Sequence, residues 1–230
     1  MKIKYYILFV GFALALVSCE IDNYDEPESF FTGHVVYNGT PIEVGAREVR
    51  FQLFQPGFGN LAPLDVHLDT DGSFSGRFFD GDYKLKFVDG QGPFKANYVN
   101  EQAGDTIFIQ IKGNTEMDLE VTPYYMVKSS QFSATGNAVS GSISLDKIIT
   151  GDEGREIEYV NLYINESQFV SNNDDYNIGR ADVEVSSLDN IAGSINLPDD
   201  YSKNYVYARM GIKIEGVEDL LFSEVTKLDL

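Results

Sequence analysis

Residues 70–87 read TDGSFSGRFFDGDYKLKF, and this stretch decides the fold. Asp71-Gly72 has the composition of a hairpin turn and is predicted to adopt the primed type. Within residues 83–87, apolar and charged side chains alternate with the period of two that is typical of a half-buried strand. We expect Phe74 and Tyr83 to fill the core between two sheets, because large aromatic rings bury the most apolar surface.

The same alternation extends along the chain in both directions. Past Thr122-Pro123 a second series of short strands begins, and turn residues separate most of its members. This spacing predicts an all-β chain of two consecutive β-sandwich domains, at residues 30–123 and 124–230. The predicted strands of the first domain are centred on residues 49–53, 66–68, 83–87, 107–111 and 117–121, and those of the second span 139–145, 157–164, 181–186, 191–197, 205–214 and 220–228.

Composition excludes several classes of function. The 230 residues include 36 acidic and 17 basic side chains, for a net charge of −19. Nucleic acid is therefore not expected as a partner, because binding a phosphate backbone requires clustered Lys and Arg. The single cysteine excludes an internal disulfide, a cysteine-rich zinc site and a CxxC redox centre.

The N-terminal segment has the features of a targeting signal. Lys2 and Lys4 precede an apolar run at 7–17, which is shorter than the roughly 20 residues of a membrane-spanning helix. The run ends in Leu16-Val17-Ser18-Cys19, which resembles the lipobox of bacterial lipoproteins. The resemblance implies that residues 1–18 are removed and that Cys19 is acylated at its sulfur and its new amino group. The alternative is an ordinary buried cysteine.

Residues 19–29 form an acid-rich segment with a proline and without helical or strand periodicity, which predicts a solvated tether. An acidic stretch directly after a lipidated cysteine also resembles the surface-export signal of Bacteroidetes lipoproteins. The alternative is a tether with no sorting role. We expect an outer-membrane protein held by lipid on Cys19 and facing the cell exterior.

Both predicted domains resemble known sandwich families. Residues 31–36, 40–42, 70–74 and 81–85 contain a glycine-start strand, a proline turn, a D-G-x-F hairpin and a G-x-Y strand. That order resembles transthyretin-like domains of the carboxypeptidase-regulatory type. Residues 205–225 are similar to the last two strands of an immunoglobulin-like domain of the fibronectin type III class.

The strand at residues 205–214 departs from the fibronectin pattern. We place Arg209 toward solvent, so that the alternate positions Val206, Ala208, Met210 and Ile212 face the core. In that register Tyr205 and Tyr207 are out of phase with the tyrosine corner of the family.

The mature chain as a whole resembles a two-domain family of Bacteroidetes lipoproteins of unknown function. Residues 22–25, 90–94, 121–125 and 207–209 carry this resemblance. It implies association with glycan-utilisation loci, and hence three expected partners: a glycan, a TonB-dependent importer and the starch-binding-type lipoprotein of that importer.

Catalytic motifs are missing from the sequence. It contains no G-x-S-x-G nucleophile elbow and no H-E-x-x-H zinc motif, and its two histidines, His34 and His67, lie within predicted strands. Residues 69–73 begin like a calcium loop but lack the later acidic ligands, and the acidic loops at 151–154 and 172–175 are typical of a solvated surface. We therefore predict a non-enzyme with no cofactor and no metal.

Aromatic residues in loops are the candidates for ligand binding, because binding residues concentrate on loops. These are Phe58, Phe94, Tyr98 and Tyr176. If successive strands of the first domain alternate in direction, residues 38–47, 70–73 and 89–105 lie at the end far from the tether, and Phe58 lies at the tether end.

Phe94 and Tyr98 would then lie at the domain junction beside Tyr124 and Tyr125. This group is either a ligand cleft or an aromatic seam between the domains. We therefore predict a non-catalytic surface lipoprotein that assists glycan binding or uptake. The alternative is a structural spacer or adhesin that acts through protein contacts.

Overall fold

The computed structural model describes residues 25–57, 61–97 and 106–230. These residues form two consecutive β-sandwich domains, which confirms the predicted fold class. Over the same ranges no helix is long and apolar enough to cross a membrane. The strands of the first domain are β1 (Ser29–Tyr37), β2 (Thr40–Pro41), β3 (Arg50–Phe54), β4 (Leu64–His67), β5 (Ser73–Phe78), β6 (Gly81–Phe87), β7 (Phe94–Ala96), β8 (Ile107–Ile111), β9 (Asn114–Glu116) and β10 (Leu119–Pro123).

Two sheets enclose the core of the first domain. One sheet has the order β2-β1-β10-β7, with β5 and β9 also paired to β1, and the other has the order β4-β3-β6-β8. Phe74 lies 5.0 Å from both Phe31 and Phe51 between ring centroids. Phe74 and Tyr83 are both buried, as predicted from the sequence.

Glycine permits a close main-chain approach and a tight turn in this domain. A side chain at Gly33 on β1 would place its Cβ 2.0 Å from the carbonyl oxygen of Met117, so only glycine lets the chain cross there. The primed hairpin turn occurs at Asn38-Gly39, where φ is 49° and 76°. The prediction of a primed turn at Asp71-Gly72 is wrong, because only Gly72 has a positive φ.

The second domain is built from a three-stranded and a five-stranded sheet. The first has the order β11-β12-β15, and the second has the order β14-β13-β16-β17 with β18 also paired to β16. Two short 3-10 helices lie in its loops, at Gly151–Glu153 and Asp174–Tyr176. The strands are β11 (Tyr125–Thr135), β12 (Ala138–Lys147), β13 (Ile157–Asn165), β14 (Gly179–Val183), β15 (Ile191–Asn196), β16 (Tyr205–Ile214), β17 (Leu221–Phe222) and β18 (Thr226–Asp229).

Several elements differ from the sequence prediction. Strand β11 was not predicted, because its outer face is polar and little apolar alternation marks it. Residues 95–103 are the one stretch whose sequence could hold a helical turn or two, but Lys95 and Ala96 belong to β7, which pairs with β10, and residues 98–103 are outside the described part of the chain. The last predicted strand is divided into β17 and β18, since residues 223–225 interrupt the ladder.

The two domains are joined by main-chain contacts as well as by the linker. Phe222 N donates to Glu43 O at 3.0 Å, Glu218 N to Gly90 O at 3.2 Å, and Gly92 N to the Asp219 carboxylate at 2.9 Å. Most of the buried apolar residues of both domains also form one continuous cluster. The connections around residues 43 and 90 therefore meet the second domain, as the strand-direction argument predicted.

Candidate functional site

A pair of exposed aromatic rings on the second domain faces a cleft against the first domain. Phe169 and Tyr176 are 42% and 41% exposed, and their ring centroids are 6.4 Å apart at an interplanar angle of 53°. The cleft encloses about 620 Å³, which is within the range of small-molecule pockets. Both rings are on the loop between β13 and β14, and we refer to residues 166–178 as the aromatic loop.

Hydrogen bonds within the aromatic loop fix its shape. The Asn173 side chain accepts from Asp175 N at 3.0 Å, and the Asn177 amide donates to the carbonyls of Ser171 and Asn173. At the start of the loop, the Asn165 amide donates to Phe169 O at 3.1 Å. The rings are therefore held by an ordered scaffold, and a ligand would lose less conformational entropy on binding than at a flexible loop.

The first domain supplies the opposite wall. It consists of the turn at residues 46–47, strand β4 with the residues that follow it, and strand β5. Arg47 adopts φ of 62°, a left-handed conformation that is uncommon for residues other than glycine. His67 Nδ1 is 3.0 Å from Arg47 O, and because a carbonyl only accepts, Nδ1 must carry the proton. In the neutral ring, Nε2 is then an acceptor.

Further polar groups line this wall beside Arg47 and His67. They are the side chains of Asp65, Asp69, Ser73 and Ser75. The Asp65 carboxylate is 3.5 Å from Arg50 Nε, which offsets its charge. The cleft thus combines two exposed aromatic rings with cationic, anionic and neutral hydrogen-bonding residues.

Arg209 connects the two walls of the cleft. Its guanidinium donates to Val44 O in the first domain at 3.2 Å, and in the second domain to Val170 O at 3.3 Å and Ser223 O at 3.1 Å. Val170 directly follows Phe169, so a single side chain joins the first domain to the aromatic loop. The prediction that Arg209 faces solvent is wrong, since the residue is fully buried.

Two further groups surround the Arg209 guanidinium. It lies 4.1 Å from the centroid of the Phe222 ring and 3.6 Å from the Glu43 carboxylate. Burial lowers the pKa of Arg209 to about 10, which leaves it cationic at neutral pH. The sequence pattern failed here because the outer face of β16 is covered by the first domain and the aromatic loop. The core positions Val206, Ala208, Met210 and Ile212 are buried, as predicted.

Carboxyl groups at this contact are poorly solvated. Burial raises the pKa of Glu43 to about 7, Arg209 opposes this shift, and the charges of Glu224 and Asp71 add to it. Burial also raises the pKa of Glu48, which the Ser171 hydroxyl of the aromatic loop partly counters through a hydrogen bond. The residues of the 43–48 connection therefore hold the aromatic loop through polar contacts.

Both domains match known sequence families. The pattern described as "Protein of unknown function (DUF3823) N-terminal domain" matches residues 29–122, and that described as "Domain of unknown function (DUF3823_C)" matches residues 125–227. The chain belongs to the DUF3823 family. This agrees with the resemblance to a two-domain family of unknown function. No curated protein is a significant match to the chain.

Solved structures of DUF3823 proteins are similar over both domains. A family member from Parabacteroides merdae has 31% identity and a TM-score of 0.77, and one from Bacteroides ovatus has 28% identity and a TM-score of 0.75. A Bacteroides uniformis protein described as a "putative carbohydrate binding protein" has 18% identity and a TM-score of 0.67, which shows a shared fold. Each comparison covers 89% of this chain and 100% of the other.

The residues predicted for a site at the domain junction lie partly together in this DUF3823 protein. Phe94 and Tyr124 both line a smaller cavity of about 290 Å³ between the domains. Their rings are only 6% and 5% exposed, and Arg155 lies 5.1 Å over the face of Tyr124. Tyr125 is buried, and its hydroxyl donates to Arg155 O at 2.8 Å.

Other predicted residues are outside the described part of the chain. These are Cys19, Phe58 and Tyr98. For Phe94, Tyr124 and Tyr125, the geometry leaves little free ring surface on which a ligand could stack.

Sequence reasoning identified Tyr176 as a loop aromatic but did not connect it with Phe169, His67 or Arg47. The two aromatics are seven positions apart on one loop, and the signal that could have found them was a pair of rings among Ser, Asn and Asp. Their position opposite β4 depends on how the domains dock, and no periodicity encodes that arrangement.

Proposed function

We propose that this protein binds glycan without catalysis in the cleft between its two domains. The observation that carries the proposal is the exposed pair of Phe169 and Tyr176 opposite a polar wall. The apolar C–H faces of a pyranose ring stack on aromatic faces, while its hydroxyls need donors and acceptors at the rim. Arg47, His67 and Asp69 supply such groups.

A neutral glycan fits the charges of the site best. The cleft contains cationic and anionic side chains, and the net charge of −19 repels a polyanion at long range. Uronic acid polymers and sulfated glycans are therefore expected to bind more weakly than neutral ones. The similarity to a "putative carbohydrate binding protein" supports a carbohydrate ligand only at the level of the shared fold.

Affinity electrophoresis of the fragment 20–230 tests this proposal. Gels that contain neutral polysaccharides are expected to retard the wild-type fragment, and Phe169→Ala and Tyr176→Ala should each weaken retention about tenfold or more. Phe108→Ala is the matched control, because Phe108 is 64% exposed and lies outside the cleft. Retention that is unchanged in both cleft variants would remove the cleft from the proposal.

We propose further that lipid on Cys19 anchors the protein to the outer membrane, facing the exterior. The lipobox-like Leu16-Val17-Ser18-Cys19 and the acid-rich tether support this location. Several acyl chains anchor more stably than one, since each buried methylene contributes about 0.8 kcal/mol. Cys19→Ala should abolish metabolic labelling with palmitate and release the protein from the membrane fraction, and accessibility to added protease on intact cells reports the side that it faces.

A glycan importer and its starch-binding-type lipoprotein are the proposed protein partners, and a spacer or adhesin is the alternative role. The main-chain contacts between the domains support a rigid spacer equally well. Failure of every polysaccharide to retard the fragment, together with recovery of an importer in a pull-down, would favour the spacer.

A further inference from the structure

The relative orientation of the two cleft aromatics restricts the shape of a glycan that stacks on both. Phe169 and Tyr176 are inclined at 53° to one another. A ribbon-like glycan presents the faces of its successive sugars in one plane, and rings at that angle cannot both lie flat against a plane. Hydrogen bonds within the aromatic loop hold the main chain from which the two rings project.

The distance between the rings also excludes a sugar that is held between the two of them. A sugar held between two aromatic faces needs van der Waals contact of about 3.5–4.0 Å on each side, and hence about 7–8 Å between the faces. The centroids of Phe169 and Tyr176 are only 6.4 Å apart, and the planes are not parallel. A sugar therefore does not fit between the rings, and each ring, 42% exposed for Phe169 and 41% for Tyr176, is left to stack on a different sugar of the same chain.

The shape of the cleft also favours a single glycan chain over a packed polysaccharide surface. The rings are opposed by residues of the first domain, including Arg47 and Ser75, across about 620 Å³. A single glycan chain can enter a concave site of this size, whereas the flat surface of a packed polysaccharide cannot reach both walls.

We infer that the cleft takes single, soluble glycan chains whose neighbouring pyranose rings are turned relative to one another. Flat ribbons and packed glycan surfaces are excluded by the same geometry. The inference rests on the proposed function, because it assumes that Phe169 and Tyr176 are the stacking platform. Beyond that function, the inference specifies which glycan conformation the cleft binds.

The experiment compares turned and flat glucans on the same protein. Laminarin and amylopectin are the turned probes, hydroxyethyl cellulose is the soluble probe with a ribbon-forming backbone, and microcrystalline cellulose is the packed probe. We expect the fragment 20–230 to be retarded by at least one turned glucan, with at least tenfold weaker retention by hydroxyethyl cellulose and none on microcrystalline cellulose. Phe169→Ala and Tyr176→Ala should each reduce retention by the turned glucan, and Phe108→Ala should not.

Each other outcome has a separate meaning. Equal retention by flat and turned glucans, lost in both cleft variants, would overturn the inference and leave the proposed function intact. No retention by any turned glucan would overturn the inference, and failure of every neutral polysaccharide to retard the fragment would overturn the proposed function as well. Retention that is unchanged in both Phe169→Ala and Tyr176→Ala would overturn both. Circular dichroism melts of each variant show whether it is folded, and Tyr176→Phe provides a variant that keeps the stacking face and should retain binding.

Discussion

Replacing Arg209 by methionine is expected to destabilise the protein by about 3–5 kcal/mol. The change removes hydrogen bonds to three main-chain carbonyls, at distances of 3.1–3.3 Å, and the stacking of the guanidinium on Phe222. It also leaves the Glu43 carboxylate without the cation that lies 3.6 Å away. Methionine fills a similar volume, so the loss reports mainly polar contacts and not a cavity.

The magnitude follows from two opposing contributions. A hydrogen bond from a charged donor contributes about 1.5–3 kcal/mol, so three of them contribute roughly 5–9 kcal/mol. Desolvation of the buried guanidinium offsets several kcal/mol of this sum. Because most buried apolar residues of both domains form one cluster, we expect cooperative unfolding of the whole chain. For such unfolding the loss lowers the Tm by roughly 6–20 °C.

Urea denaturation followed by circular dichroism measures the loss, and Arg180→Met is the matched control because Arg180 is exposed on β14. We expect a change within about 0.5 kcal/mol for that control. In the Arg209→Met background, Glu43→Gln should recover part of the loss, because the uncompensated carboxylate is removed. A loss below about 1 kcal/mol for Arg209→Met would refute the reasoning.

Two further predictions concern stability. Burial raises the pKa of Glu43 from 4.5 to about 7, so the folded state binds this proton more tightly than the unfolded state does. Protonation of Glu43 therefore adds to the unfolding free energy fully below pH 4.5, and this contribution is lost as pH rises through 7. Between pH 5 and pH 8, the unfolding free energy of Glu43→Gln should fall less than that of wild type, by roughly 2–3 kcal/mol. Parallel slopes for the two proteins would contradict this. Gly33→Ala should cost about 2–4 kcal/mol in urea denaturation, because the new Cβ meets the Met117 carbonyl, and a change below about 0.5 kcal/mol would show that the crossing can widen.

The fold is readable from the sequence because most strands carry their own pattern of apolar and polar residues. Phe74, Tyr83 and the alternate apolar residues of β16 are in the core because the two faces of a sheet strand differ in solvation. Apolar alternation does not predict strand β11, because an edge strand with one polar face needs few apolar residues. Local pattern thus predicts the sandwiches well and their edges poorly.

The cleft exists because the two domains dock against each other, and local sequence patterns do not encode that docking. Arg209 occupies the outer face of its strand, where charge normally indicates solvent, and the first domain and the aromatic loop together bury that position. Phe169 and Tyr176 belong to one loop and can be found from the sequence as a pair. The wall with Arg47 and His67 is more than 100 positions away in the chain, so no spacing rule connects it with them.

Arg209 and Phe169 should affect binding through different routes, because one positions the cleft and the other lines it. A glycan that binds only the docked arrangement stabilises it by RT ln(1 + [L]/Kd), about 2.7 kcal/mol at a hundredfold excess over Kd. If Arg209→Met leaves only a fraction of molecules docked, the apparent Kd rises by the reciprocal of that fraction. Phe169→Ala removes contact surface from an exposed ring and leaves docking intact, so affinity falls with little change in unfolding free energy. Arg209→Met should therefore lower both the affinity and the unfolding free energy, whereas Phe169→Ala should lower the affinity alone.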